Sequence, residues 1–175
     1  MTSTIASQIM KLKVGKSDKI VIGNVNAFRD WSHIDDIVRG YCLLAEKGEL
    51  GEVYNQCPMR TNSVLSYILL CLESAGWKAE KIETMEGNDK KTLIDPARRN
   101  DDEIFGLCFE KTEVDKLLLT GELNFSLEDK GILVYTDKGK IPIEFDPNRF
   151  RPAEVPILLS NTQKSSDWDS GLQEN

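Results

Sequence analysis

Gly23–Asp36, GNVNAFRDWSHIDD, joins three consecutive β-branched residues, Ile20, Val21 and Ile22, to a segment whose apolar residues return at helical spacing. A β-branched run of that kind predicts a strand covered on both faces and therefore parallel to its neighbours. Beyond the junction, Ile34, Ile37, Val38, Tyr41, Leu44 and Ala45 predict a helix over 33–46, with Gly48 and Gly51 as stop signals. Ser32 with Asp35 three residues on predicts a capping box, and Asp35 and Asp36 suit the positive end of the helix. Strand, turn and helix in this order make an α/β signature. Arg29 stands on the part of the turn left open to a ligand. A guanidinium is always charged and binds bidentately, which makes it the side chain best suited to a diphosphate.

Working back from the junction, Ile5, Ile9 and Leu12 form one stripe of a helix over Thr2 to Lys13, with Ala6 and Met10 beside it. A helix so near the first residue, with no lead-in strand, carries the expectation that an upstream half of the fold lies outside this chain. Working forward, Glu52–Cys57 is expected as a short strand. Ser63 is placed to cap a helix whose inward positions are Val64, Ile68, Cys71, Leu72 and Ala75, with Gly76 ending it. Ala79–Met85 follows as a further strand. From Gly87 to Asp102 the chain is polar and without period, and is expected as a flexible connection in which Arg98 and Arg99 face solvent. Thr112 caps a short helix over Glu113–Leu119 that Gly121 stops, and Ile132–Tyr135 with Ile141–Phe145 predicts a hairpin turned at Asp137-Lys-Gly139. Pro142 has no amide to donate, which predicts an edge strand. A helix followed by a hairpin also fits a winged DNA-binding module, but Glu113, Asp115, Glu128 and Asp129 oppose that use. In linear order the expected parts are an α/β portion over 1–86, an insertion over 87–145, a clamp over 146–159 and a polar tail over 160–175 in which Trp168 is the one large apolar group.

The 29 acids exceed the 22 bases and give a formal charge of -7 over 175 residues. That balance disfavours a general nucleic-acid or anionic-membrane surface and points to a small ligand in a local basic pocket. Cysteines 42, 57, 71 and 108 show neither C-x-x-C spacing nor a dense framework, so reduced core residues in a cytoplasmic protein are expected. The sequence holds neither a signal-peptide pattern nor an apolar run of about 20 residues. The clamp, Phe145-Asp-Pro-Asn-Arg-Phe-Arg-Pro-Ala-Glu-Val155, sets Arg149, Arg151 and two acids among prolines. Those prolines leave little to be ordered when a charged ligand arrives.

The pairing of GN....RDW.H..D with DP..FRPAEV resembles the carboxyl-terminal half of the GDP-mannose 4,6-dehydratases, within the extended short-chain dehydrogenase/reductase superfamily. Residues 2–76 and 145–159 carry the likeness, and the stretch from 87 to 130 departs from it as a long insertion. The resemblance implies the substrate-binding part of a Rossmann-type α/β fold with a helix-plus-hairpin insertion. It implies that Arg29 contacts the nucleotide diphosphate, that Arg151 and Glu154 hold the GDP moiety, and that Val21, Ile22 and Gly23 wall the base. Asn24 and Arg149 lie beside matched positions, and Asn24 is carried as a further substrate-binding candidate. His33 occupies the RDW.H position, where fixing the helix start is its expected task.

The family reaction, a lyase chemistry, uses NADP to take a hydride from C4 of the mannose, which acidifies the C5 proton. Water then leaves from C6 and the hydride returns there. Those steps need a Gly-rich turn for the cofactor and a tyrosine with a lysine four residues on. Tyr41, Tyr54, Tyr67 and Tyr135 are instead followed four residues later by Ala45, Pro58, Cys71 and Gly139, and no G-x-x-G-x-x-G occurs. Ser160–Lys164, SNTQK, replaces a GDPTK-like family sequence. The expected function is therefore to bind GDP-mannose as the substrate portion of such a dehydratase, with no catalytic, cofactor or metal residue in this chain and no activity by itself. A separate Rossmann half and a homo-oligomer are the expected partners, with no nucleic acid and no membrane. The alternatives are a split-enzyme subunit or non-catalytic sugar-nucleotide module, and a fragment acting on UDP- or dTDP-sugars. Apolar stripes on the helices over 2–13 and 33–46 are expected to be exposed and to drive self-association.

Overall fold

Ile20–Ile22 forms strand β1, and its burial alternates, Ile20 and Ile22 buried and Val21 half-buried. In a computed structural model, which describes residues 2–57, 61–87, 89–104, 107–151, 153–162 and 164, with backbone alone for 100–104 and 107–110, the elements run as follows. Helix α1 is Thr2–Lys13, and after β1 come β2 (Phe28–Asp30), helix α2 (Ile34–Lys47), β3 (Thr61–Ser63) and helix α3 (Val64–Ser74). Then follow β4 (Ala79–Thr84), β5 (Thr92–Ile94), β6 (Arg99–Ile104), β7 (Leu107–Thr112), helix α4 (Glu113–Thr120), β8 (Gly131–Thr136) and β9 (Gly139–Phe145). Two units are formed, one of Met1–Ala27 with Ser63–Pro156, the other of Phe28–Asn62 with Ile157–Asn175.

The larger unit is built on a mixed sheet in the order β1-β9-β8-β4-β5. β1 runs parallel to β9, with Ile20, Val21 and Ile22 opposite Ile143, Glu144 and Phe145, as a β-branched run predicts, but the expected cover on both faces is not found, since Val21 is only half-buried. The other pairings are antiparallel. Ile132, Val134, Ile141, Ile143, Phe145 and Ile82 turn to one face and are buried there, while Leu133, Tyr135, Pro142 and Glu144 on the other face are half-buried. Among the described residues helical cover therefore lies on one face only. α1 contributes Ile5 and Ile9, so its stripe is covered rather than exposed, and α3 contributes Val64, Leu65, Ile68, Leu69 and Leu72. Full burial of a side chain of this size contributes about 1.5–3 kcal/mol, so this layer dominates the stability of the unit.

A buried polar cluster ties the starts of α3 and α4 together. Ser63 Oγ accepts from Ser66 N at 3.0 Å, Asp115 Oδ1 accepts from Ser63 N at 2.8 Å, Thr112 Oγ1 accepts from Asp115 N at 3.2 Å, and the Thr112 and Ser66 hydroxyls lie 2.9 Å apart. The predicted caps Ser63 and Thr112 both act, and Gly121 closes α4 in a left-handed conformation.

Several expectations are corrected. β9 lies between β1 and β8, so Pro142 is not on an edge and the β8–β9 hairpin is the middle of the sheet. Phe145 N donates to Lys130 O on the β8 side. Amides alternate in direction along a strand, so the Pro142 nitrogen turns toward β1, one residue before the β1 register begins at Ile143. No ladder bond is lost. The stretch 87–102 is not an unstructured connection, because β5 pairs with β4 and β6 with β7. The expected strand over Glu52–Cys57 does not form, and Thr61–Ser63 is a strand instead. Cys42 is exposed, while Cys57 and Cys71 are half-buried, with burial pushing the Cys71 thiol up. The Cys108 side chain and the tail from 165 onward, Trp168 included, lie outside the described residues.

On the half-open face Glu83 accepts from Lys90 Nζ at 2.8 Å and from Lys81 Nζ at 2.9 Å. The Lys90 and Lys81 hydrogen bonds hold its carboxyl down at about 2. A depressed carboxyl stabilises the fold above its unfolded value, near ~4.3, and that contribution is lost as pH falls toward the folded value. Thermal unfolding of Glu83→Gln and the parent chain should therefore differ at pH 6 and converge as pH falls from about 4.5 to about 2. A constant difference across that window would remove the assignment.

Candidate functional site

β1 and β9 end side by side, and the two sequence stretches singled out above leave from their carboxyl ends. The Gly23–Ala27 loop is held by its backbone. Val25 O and Ala27 O accept from Leu65 N and Val64 N at the start of α3, at 3.1 and 3.0 Å. Asn26 exchanges two hydrogen bonds with the Phe125 backbone, at 2.7 and 3.0 Å. Asn24 is half-buried and its Oδ1 accepts from Asn26 N at 2.9 Å, which fixes the turn.

The clamp is docked on the same strand end. Asp146 N donates to Ile22 O at 2.8 Å, and Asp146 Oδ1 accepts from Asn148 N at 3.0 Å, with Pro147 opening a single 3-10 turn. Arg149 Nη1 donates to Val21 O at 3.0 Å and its Nε lies 3.2 Å from Asp146 Oδ2. Gly23 is required here: a Cβ on it would stand 2.6 Å from Arg149 O. Phe150 packs edge-on against Phe145 with ring centroids 6.1 Å apart. Arg149 thus serves the backbone, a part that sequence reading gave it no means of showing. The Asp-Pro-Asn turn signal was the one hint of it. Arg151 is exposed and makes no ion pair with a described residue, and Glu154 is half-buried.

Asn24, Arg149, Arg151 and Glu154 belong to the larger unit and Arg29 to the smaller. Arg29 lies in β2 rather than in an open turn, is half-buried, and donates through Nη1 to Phe28 O at 2.7 Å. Trp31 Nε1 donates to Asn62 O at 3.1 Å. The α2 cap is His33 and not Ser32: its Nδ1 accepts from Asp35 N at 3.3 Å, so the histidine does fix the helix start. Among the described residues no three His, Cys, Asp or Glu side chains gather as a metal site. No described helix is long and apolar enough to cross a membrane.

These features define an α/β protein with polar loops at the carboxyl ends of parallel strands, where open α/β sheets take their ligands. A family model described as GDP-mannose 4,6 dehydratase matches residues 1–119, and the chain belongs to that family. It is 24% identical over 165 residues to a GDP-mannose 4,6-dehydratase of Sinorhizobium fredii (strain HH103), covering 94% of this chain and 34% of the relative. It is 37% identical over 73 residues to a dTDP-glucose 4,6-dehydratase of Streptomyces griseus, covering 40% and 22%, respectively. Identity to a GDP-6-deoxy-D-mannose reductase of Pseudomonas aeruginosa is 27% over 82 residues, covering 46% and 27%. The chain spans about a third or less of the length of these relatives.

Proposed function

We propose that this chain supplies the sugar-nucleotide-holding portion of a GDP-mannose 4,6-dehydratase. The observation that carries the reading is the joint seating of the Gly23–Ala27 loop and of residues 145–150 of the clamp on the carboxyl ends of two adjacent parallel strands. We place Arg151 there, an exposed guanidinium without an ion pair to any described residue. Its role is to grip the diphosphate bidentately, while Glu154 and Asn24 accept and donate to the nucleoside. Arg29 is assigned to the diphosphate by family resemblance and is tested separately. No step of the redox and dehydration chemistry is given to a residue of this chain, and NADP would be held by sequence that this chain does not contain.

Calorimetric titration with GDP-mannose, UDP-glucose and dTDP-glucose tests the reading. GDP-mannose is expected to bind most tightly, and unchanged heats for all three would reject the site. The 37% likeness to a dTDP-glucose enzyme favours a second reading, a dTDP-sugar portion, and preference for dTDP-glucose in the same titration would establish it.

A further inference from the structure

The Gly23–Ala27 loop is fastened on two sides. One side is the start of α3, where Val64 N and Leu65 N, amides with no partner inside their own helix, donate to Ala27 O and Val25 O. The other is Phe125. The Asn26 side chain donates from Nδ2 to Phe125 O at 2.7 Å, and its Oδ1 accepts from Phe125 N at 3.0 Å. Giving and accepting at once takes an amide side chain. Asn26 N in turn donates to Asn24 Oδ1, so a shift of Phe125 is passed on to Asn24. Phe125 is itself held from β4. The next amide, Ser126 N, donates to Asp129 Oδ2 at 2.7 Å, and Asp129 is buried. Lys91 Nζ donates to both Asp129 oxygens, at 3.0 and 2.8 Å, and lies 5.8 Å from the Phe125 ring centroid. Lys91 N donates to Thr84 Oγ1 and Thr84 N to Lys91 O, while Glu86 N donates to Asp129 O, so the pair is anchored to the end of β4.

We propose that Asn26 and Lys91 are positioning residues for the sugar-nucleotide site. The Lys91–Asp129 pair fixes Phe125, Phe125 fixes Asn26, and Asn26 presents Asn24 to the nucleoside. Neither Asn26 nor Lys91 touches the ligand. The inference rests on the Gly23–Ala27 loop being the seat of the sugar nucleotide, and it gives the 84–130 segment a task. Phe125, Ser126 and Asp129 stand beyond residues 1–119, the extent of the family match. A buried carboxylate keeps this geometry only while its cation is in place, so the charge of Lys91 matters more than its shape.

Native-state amide hydrogen exchange and calorimetric titration with GDP-mannose test this on the full chain, comparing the parent with Asn26→Leu, Lys91→Met and Lys91→Arg. Asn26→Leu and Lys91→Met should each speed exchange of the Asn26, Val64 and Leu65 amides, and weaken GDP-mannose binding, by about 10-fold, the equivalent of one or two lost hydrogen bonds. The Leu69 and Leu72 amides, further along α3, should keep the parent's rates, because the loosening is confined to the loop. Lys91→Arg keeps the charge and should restore both readouts. Unchanged rates at Asn26, Val64 and Leu65, an equal acceleration at Leu69 and Leu72, or a Lys91→Met chain that binds GDP-mannose as the parent does would each overturn the proposal. A parent chain that binds no sugar nucleotide would overturn the positioning role together with the reading beneath it, and the exchange rates would still show whether Lys91 governs the loop.

Discussion

Gly131→Ala is expected to cost about 3 kcal/mol, at the upper end of what an added core methyl does, and to lower the melting temperature by roughly 6–12 °C. A Cβ at Gly131 would stand 2.2 Å from Ile143 O, 2.8 Å from Met85 Sδ and 3.1 Å from Glu144 Cα. The methionine could move aside, but the backbone of β9 could not. Gly131 is paired with Glu144, Ile143 with Ile132, and Phe145 on the same strand with Ile22, so relief at this point means lifting β9 from both neighbours. Met85 N also donates to Gly131 O, which ties the displaced strand to the end of β4. Thermal and denaturant unfolding would check the value. A loss below about 1 kcal/mol would show that the sheet yields locally where the register says it cannot. The strand end that would lift is the one that carries Phe145 and the clamp, so the same substitution should weaken nucleotide binding.

What the sequence shows and what it hides divide along the range of the interaction. α1, α3 and α4 are legible because stripe, cap and stop all lie within one segment: Ser63 and Thr112 cap as read, and Gly121 ends α4. β1 and the β8–β9 hairpin are legible from β-branched runs and a Gly-containing turn. β5 and β6 are not. Their residues, Thr92-Leu-Ile94 and Arg99-Asn-Asp-Asp-Glu-Ile104, have little alternation of their own and become strands by pairing with β4 and β7. Strand preference of this kind is set by the neighbours. The place of Pro142 in the sheet depends on how short β1 is, which no local rule contains. For α2 the apolar spacing announces a helix but does not say which stripe its own unit covers. The cap at His33 was legible as a task for the histidine, yet Ser32 drew the capping box one residue early because both residues precede acids at workable spacing.

The site is half legible for the same reason. Arg29, Arg151 and Glu154 were marked by motif and Asn24 as a neighbour of matched positions, whereas the backbone contacts of Gly23, Asn26 and Arg149 are revealed only by the folded chain. That difference gives the sharpest functional expectation. Arg151→Ala should reduce affinity for GDP-mannose by about 10- to 100-fold, the loss of one charge-assisted grip worth about 1.5–3 kcal/mol, and leave the melting temperature unchanged, since Arg151 is exposed and pairs with no acid among the described residues. Arg149→Ala, two residues earlier in the same clamp, should do the opposite in kind. Removing it takes a donor from Val21 O and a partner from Asp146, so the melting temperature should fall along with the affinity. Because that ion pair is half-open, its own share is small, about 0–1 kcal/mol, and most of the change would come from the loosened strand end. Arg29→Glu completes the set, with a loss of affinity expected if its guanidinium meets the diphosphate. Calorimetry and thermal unfolding of the three variants side by side separate gripping from positioning. If Arg151→Ala binds GDP-mannose as tightly as the parent chain, the clamp is a strand-end brace and not a nucleotide grip.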